Sequence, residues 1–267
     1  PRHDRLTVLT VTAAQLDAWL ALFAYPLARI LAMAASAPVF GNTALPRRIR
    51  LVAGLALVLG ITPALAPVPA IPLGSWAGLL AILQQTLVGL AMGLAMRVVF
   101  AALDVLGELT SLQMGLSFAT FFDPGSNGQT AVVGEFLTLL ATLIFLALNG
   151  HLLMADVLAR SFEWLPVNAL PFHAGGWAVL VRFGAVTFSA GLLLALPVVT
   201  ALLSTNIALG ILTRAAPQLN LFAIGFPITL TVGFGVIMLA LERFAPLLQR
   251  FYDMGFDTIA ALLKALA

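Results

Sequence analysis

The chain has 267 residues, of which 61% are hydrophobic and 9% are charged, and its mean hydropathy is +1.07. Soluble domains carry charge at about a quarter of their positions, so this composition excludes a soluble globular protein and predicts an all-α membrane protein. The formal net charge of +2 is too small to indicate nucleic-acid binding, and the lack of Cys excludes disulfides and thiolate metal sites. Three scattered His residues form no metal-binding pattern, and no cofactor motif is found.

Six apolar segments predict six long helices connected as hairpins, with breaks rich in Pro and Gly between them. After an N-terminal tail at residues 1–12, the predicted helices cover about Ala13–Ala37, Pro46–Ala66, Leu73–Leu109, Thr130–Leu165, Gly175–Leu212 and Leu221–Leu266. Several exceed the ~20 residues that cross a bilayer, so length alone permits six spans. Prolines inside the apolar runs predict kinks or breaks at Pro26, Pro197, Pro227 and Pro246. His151, which follows Asn149–Gly150, indicates either a further helix interruption or a polar contact.

Charge placement argues against a simple six-span protein. Arginines flank the first predicted helix on both sides, and the positive-inside rule cannot place both ends in the cytoplasm. Ionisable residues also occur inside the apolar runs, at Arg29, Arg97, Asp104, Glu108, Glu135, Asp156, Arg182 and Glu242. Each would cost about 2.5–3.5 kcal/mol at a helix centre facing lipid. We therefore predict that many of these helices pack on protein.

Asp104 and Glu108 are four residues apart and share one helix face. Arg97 lies seven residues before Asp104 on nearly the same stripe, which predicts a pair within the helix. Two like charges also suggest water or a basic partner outside the chain. Glu135, in the next predicted helix, is a further candidate for partner contact.

Small residues repeat at four-residue spacing along the third predicted helix, at Ala81, Gln85, Gly89 and Gly93. Such a stripe lets two helices approach closely. The pattern predicts helix packing and leaves open whether the second helix belongs to this chain or to another.

The segment Gln113–Pro124, here called the plug segment, is apolar and aromatic and runs into the turn residues Gly125–Gly128. Irregular backbone cannot face lipid because unpaired amides there cost several kcal/mol each. The segment must therefore pack on protein or line a cavity, either as a plug or as a re-entrant connection. The predicted plug residues, in a loop at about 110–129, are Gln113, Met114, Gly115, Leu116, Phe118, Phe121, Phe122, Asp123 and Pro124.

The plug segment resembles a signature of the FliR family, the export-gate subunits of flagellar type III secretion. A second segment, Thr213–Pro227, resembles the other hallmark of that family, and the resemblance covers nearly the whole chain. It implies a FliP-like helical part at 13–165 and a FliQ-like hairpin at 166–267. In the family the plug region helps to close the pore, so Met114 and the three phenylalanines of the plug segment would form the seal.

The resemblance also implies partners and a location. The chain would assemble with FliP-type and FliQ-type subunits, contact an FlhB-type switch protein, and pass unfolded polypeptides without acting as an enzyme. It would reside among lipids of the bacterial inner membrane at the flagellar basal body, with a projection toward the periplasmic side left open. The second motif supplies predicted packing or partner contacts at Arg214, Pro217, Gln218, Asn220, Gly225 and Pro227.

Three alternatives follow from the same residues. A homologous gate subunit of a virulence-type secretion system shares these motifs, although the Phe-Asp-Pro ending favours the flagellar branch. A secondary transporter also combines broken helices with buried charges, but no matched inverted repeats are visible. Gly115-Leu-Ser117-Phe-Ala119 is near a serine-hydrolase motif, yet its second Gly is Ala and the strand–turn–helix context is missing.

Overall fold

The computed structural model describes residues 12–41, 46–64, 71–116, 132–167, 172–216 and 221–267. Within these ranges the regular structure is helical, with no β-strand. The helices are α1 (Ala13–Ser36), α2 (Arg47–Ile61), α3 (Trp76–Gln113), α4 (Val132–Ala147), α5 (Gly150–Trp164), α6 (Gly175–Ala215) and α7 (Leu221–Leu266). A short 3₁₀ turn, Thr62–Ala64, follows α2. The prediction of an all-α membrane protein is confirmed.

The fourth predicted helix is wrong as one continuous element, because α4 and α5 meet at a bend of 68°. Asn149 adopts the left-handed conformation (φ 57°), which Asn tolerates better than most residues, and this interrupts the helical backbone. Gly150 follows with its Cα against the ring of Phe145, where a side chain would collide. The interruption indicated at Asn149–Gly150 is therefore confirmed.

Helix ends follow local chemistry. The hydroxyl of Thr12 accepts from the amide of Gln15 and the Gln15 side chain accepts in return, which forms a capping box at the start of α1. Ser75 caps α3 by accepting from the amide of Gly78 at 3.0 Å. The helices α1, α6 and α7 continue through all their internal prolines, so of the two predicted effects a break is not found at those positions and a kink stays a prediction.

The central helix α3 packs against α1, α4, α6 and α7. One aromatic cluster joins three of these helices: Tyr252 of α7 stacks on Phe100 of α3 at 5.8 Å and meets Phe145 of α4 edge-on at 5.2 Å between ring centroids. The hydroxyl of Tyr252 donates to the carbonyl of Ala141 at 2.7 Å, which satisfies its buried polar group. The two predicted parts of the chain thus share one hydrophobic core.

In the described part of the chain, four helices are long and apolar enough to cross a membrane: α1, α3, α6 and α7. The bent pair α4–α5 could supply a fifth span, whereas α2 is not among the candidates. Large apolar side chains cover the outer faces of α6 and α7, including Phe188 at 71% exposure and Leu239 at 75%. Such surface requires lipid or other protein around it, as expected for an integral membrane protein.

Candidate functional site

The plug segment begins at the end of α3. Gly115 has φ 80°, a left-handed conformation that glycine adopts readily and that commonly terminates helices. Its amide donates to the carbonyl of Leu112 at 3.1 Å, and the amide of Met114 donates to that of Thr110 at 2.9 Å. Because the chain has no helix-breaking residue before Gly115, α3 ends at Gln113, one turn beyond the predicted end at Leu109.

Met114 is fully buried and lies against α7. Its side chain fills the hollow above Gly233, where a Cβ atom would lie 2.7 Å from Cγ and 2.8 Å from the sulfur. The hydroxyl of Thr229 donates to the carbonyl of Met114 at 3.2 Å. Carbonyls at the C-terminus of a helix lack intrahelical donors, and Thr229 supplies one for this carbonyl at the end of α3. The first part of the plug segment is therefore fixed to the C-terminal hairpin by packing and by a hydrogen bond.

Other predicted plug residues divide into two groups. Gln113, Gly115 and Leu116 are half-buried, and Leu116 packs against the hydrophobic core. The remaining predicted plug residues lie outside the described part of the chain, namely Phe118, Phe121, Phe122, Asp123 and Pro124. Their role in a seal stays a prediction.

The small-residue stripe of α3 packs against α1 of the same chain. A Cβ atom at Gly89 would overlap the carbonyl oxygen of Arg29 and lie 2.8 Å from the Cβ of Ala32. One turn later, Gly93 lies against Ser36, whose hydroxyl donates to backbone carbonyls of α1. The stripe thus brings the two helix backbones together.

Replacing Gly89 by alanine should destabilise the α1–α3 contact by about 1–3 kcal/mol, because the added methyl forces two backbones apart. Thermal unfolding in detergent measures the change. The matched control is Gly184→Ala in α6, where a Cβ meets no atom within 4 Å; there the better helix propensity of alanine should stabilise slightly. Equal melting temperatures for the two variants would contradict the close approach.

A buried arginine lies at the end of this stripe. Arg29 of α1 has no exposed surface, and its Nε donates to Oε1 of Gln85 in α3 at 2.7 Å. Its Nη1 donates to the carbonyl and hydroxyl of Ser161 at 2.8 and 3.0 Å, and its Nη2 donates to the carbonyl of Leu165 at 2.8 Å. The guanidinium also lies 4.1 Å from the ring centre of Phe162.

Two of the four acceptors around Arg29 are backbone carbonyls at the C-terminus of α5, those of Ser161 and Leu165. A helix C-terminus carries a partial negative charge and carbonyls without intrahelical donors. Arg29 therefore serves as a cap for α5 and needs no carboxylate, and it connects α1, α3 and α5 at one point. The sequence marks Arg29 as a charge inside an apolar run, but it does not indicate that Arg29 connects three helices.

Residues 20–255 match the family model described as Bacterial export proteins, family 1. The chain belongs to this family. The protein named Flagellar biosynthetic protein FliR from Pectobacterium carotovorum subsp. carotovorum is 43% identical over 260 residues, which cover 97% of this chain and 99% of the relative. The protein of that name from Escherichia coli K12 is 39% identical, over 97% of this chain and 99% of the relative. The one from Bacillus subtilis 168 is 30% identical, over 88% of this chain and 92% of the relative. The predicted membership of the FliR family is confirmed.

Three carboxylates of this export protein lie near the crossing of α3 and α4. The helices meet with Gly107 directly against the backbone of Gly134, and Asp104 accepts a hydrogen bond from the hydroxyl of Thr138 at 3.2 Å. Glu108 and Glu135 are exposed beside this crossing. We call Asp104, Glu108 and Glu135 the acidic face.

The predicted pair between Arg97 and Asp104 is not formed. Both side chains are exposed and form no ion pair with each other, whereas Arg160 and Asp156 do pair, at 2.9 Å. Seven residues correspond to about 10.5 Å along a helix, which is too long a separation for a direct contact here. The acidic face therefore has no basic partner among the described residues of the export protein.

Residues of the second motif are only partly described. Arg214 is exposed in the last turn of α6, where its positive charge is stabilised by the negative end of the helix dipole. Gly225 is buried and Pro227 is exposed, both within α7. Pro217, Gln218 and Asn220 lie outside the described part of the chain.

Residues that would bear on hydrolase or metal chemistry lie only partly within the described ranges of the export protein. No group of three or more His, Asp or Glu residues there could hold a metal ion. His151 is half-buried at the α4–α5 bend, and its Nδ1 lacks a hydrogen-bond partner in the described ranges. Ser117 lies outside those ranges.

Four residues that shape these contacts were not predicted from the sequence. Thr229 and Gly233 hold Met114, and Gly107 and Gly134 allow α3 to touch α4. Glycine inside an apolar helix was the available signal for three of these residues. It indicates a close approach, but the sequence alone does not say to which element.

Proposed function

We propose that this chain is the FliR-type subunit of the flagellar type III export gate. In this proposal it forms, with FliP-type and FliQ-type subunits, the channel through which unfolded flagellar proteins leave the cell, and it is not an enzyme. The similarity to proteins named Flagellar biosynthetic protein FliR over nearly its full length supports the flagellar branch rather than the virulence branch. The location would be the bacterial inner membrane at the basal body, with an FlhB-type protein in contact.

The observation that carries the gate function is the attachment of the plug segment. A plug must be held at its base so that its apolar residues return to the same place after each passage. Met114, buried against Gly233 and bonded to Thr229, provides such a base. The plug segment would then extend from the junction of the FliP-like part, 13–165, and the FliQ-like part, 166–267.

The acidic face fits a basic partner. Asp104, Glu108 and Glu135 are exposed on helices that are mostly apolar, and a carboxylate facing lipid at membrane depth costs several kcal/mol. Arg or Lys residues of a FliP-type neighbour would remove this penalty. We therefore propose that the acidic face, together with Arg214 and the turn that follows it, contacts neighbouring subunits.

The plug is tested by deleting residues 115–122, or by replacing Phe118, Phe121 and Phe122 together by serine. Removing the apolar bulk should leave the assembled gate open to ions and small solutes. The measurement is ion leakage across the membrane of cells, or of vesicles that contain the co-expressed gate proteins.

Co-purification with the tagged chain shows whether the gate has assembled, with one copy of this chain among several partner copies expected. Phe188→Ser, on the exposed outer face of α6, is the matched control and should remain tight. Normal permeability in a deletion variant that assembles fully would refute the plug. A chain that purifies alone despite good partner expression would refute the gate subunit itself.

A further inference from the structure

A cavity of about 460 Å³ lies between α3, α4, α6 and α7. Buried residues form its floor, among them Leu106, Leu137 and Val198. Exposed residues of α6 and α7, such as Leu193 and Leu239, surround its opening. A cavity of this size is in the range of small-molecule sites, and its opening faces the apolar outer surface of the protein.

Proline explains why the cavity forms at this level. Pro197 of α6 lines it and has no amide hydrogen, so the carbonyl of Leu193 lacks its usual donor and the ring pushes against it. Pro246 of α7 has the same effect on the carbonyl of Glu242, another lining residue. Each helix therefore has one backbone carbonyl beside the cavity without its usual intrahelical donor.

One polar group in the cavity wall lacks a partner. Thr110 has no exposed surface, and its hydroxyl has no hydrogen-bond partner among the described residues. A buried hydroxyl without a partner costs about 1–3 kcal/mol. Met114 and Thr229 nearby satisfy each other, so the unpaired hydroxyl of Thr110 indicates a missing hydrogen-bond acceptor.

Two opposite charges mark the opening. Glu242 and Arg243 line the cavity and are exposed. Neither forms an ion pair with another described residue. The part of α7 before them, Leu221–Leu241, has no charged residue and is about 31 Å long. That length equals the thickness of the hydrocarbon layer, so a bilayer spanned by this part of α7 would place the two charges at the level of its headgroups.

We propose that this cavity binds one zwitterionic phospholipid. An acyl chain occupies the apolar floor, the hydroxyl of Thr110 donates to an ester carbonyl, the phosphate binds Arg243, and the headgroup ammonium binds Glu242. The adjacent positive and negative side chains complement the two charges of such a headgroup, whereas Glu242 repels a purely anionic one.

Native mass spectrometry of the full chain in detergent tests this proposal, with titration of synthetic phosphatidylethanolamine or phosphatidylglycerol. We expect a 1:1 adduct with phosphatidylethanolamine and weaker binding of phosphatidylglycerol. Arg243→Gln should lower the affinity roughly tenfold, the loss typical of a charged hydrogen bond. Ala240→Trp, which fills the opening from an exposed position, should abolish the adduct.

Thr110→Val separates a binding role from a structural one. Removing an unpaired hydroxyl should leave the melting temperature unchanged or higher, while the lipid affinity falls about fivefold. Arg250→Gln, an exposed arginine on the same helix outside this cavity, is the control and should bind like the wild type.

Two results would overturn the assignment. Adducts that persist unchanged in Ala240→Trp and Arg243→Gln would place the lipid elsewhere on the surface. Equal affinity for phosphatidylglycerol would reject the zwitterionic headgroup. If Ala240→Trp instead removes partner subunits from the purified complex and leaves lipid binding intact, the cavity holds a helix of a partner and the proposal fails.

Discussion

Replacing Arg29 by methionine should destabilise the helical body by about 3 kcal/mol or more, because three buried acceptors each lose a donor at once. These acceptors are Oε1 of Gln85 and the carbonyls of Ser161 and Leu165. Of the three, the carbonyl of Ser161 keeps a second donor, the amide of Leu165. Methionine fills a similar volume, so the loss reports the hydrogen bonds rather than a cavity. Thermal unfolding in detergent, followed by tryptophan fluorescence or by size-exclusion chromatography of heated samples, measures the effect.

Arg160→Met is the matched control. Arg160 is exposed and forms an ion pair with Asp156, one helical turn away. An exposed pair at this spacing contributes about 0.3–0.5 kcal/mol to stability. Arg29→Lys should recover only part of the stability, because an ammonium group cannot reproduce the planar set of donors. If Arg29→Met melts at the same temperature as Arg160→Met, the cap on α5 contributes nothing.

The partners of Arg29 show a limit of prediction from sequence. The charge is visible inside an apolar run, and its high cost in lipid correctly indicates packing on protein. Two of its partners are backbone carbonyls 132 and 136 positions away. Every residue carries such a carbonyl, so no residue type marks the partner, and only the tertiary fold places the end of α5 beside α1.

Local signals gave most of the helices. Apolar runs separated by Pro and Gly predicted their approximate positions, and the long α6 and α7 begin where expected. The prolines left a kink and a break open, and the sequence could not decide between them. Pro26, Pro197 and Pro246 each remove one hydrogen bond without ending a helix that tertiary packing supports. The bend at Asn149 needs a left-handed residue, for which Asn-Gly is only a modest signal.

Two glycines of α7 near the plug segment show the same limit. Gly233 and Gly235 are two residues apart in one apolar run, and nothing in the sequence indicates which of them makes a close contact. In the structure Gly233 receives the side chain of Met114, whereas a Cβ at Gly235 would meet no atom within 4 Å. Helical periodicity places the two residues on different faces, but which face meets the plug segment depends on the packing of α3 against α7.

This difference gives the sharpest test of how the gate is held. Gly233→Leu should displace Met114, because the new side chain needs the volume that its thioether occupies, and such overpacking costs about 1–3 kcal/mol. Since Met114 is the base of the plug segment, we expect an assembled gate that leaks ions. Leakage of vesicles that contain the co-expressed gate proteins is the measurement, with assembly checked by co-purification.

Gly235→Leu makes the same chemical change two residues along the same helix, where the space is open. It should assemble and stay tight, so a leak specific to Gly233→Leu cannot come from altered helix propensity or added hydrophobicity. A tight Gly233→Leu gate at wild-type assembly would show that the seat of Met114 does not control closure. Because deletion of residues 115–122 tests the plug itself, a leaky deletion with a tight Gly233→Leu would retain the plug and reject only its anchor on α7.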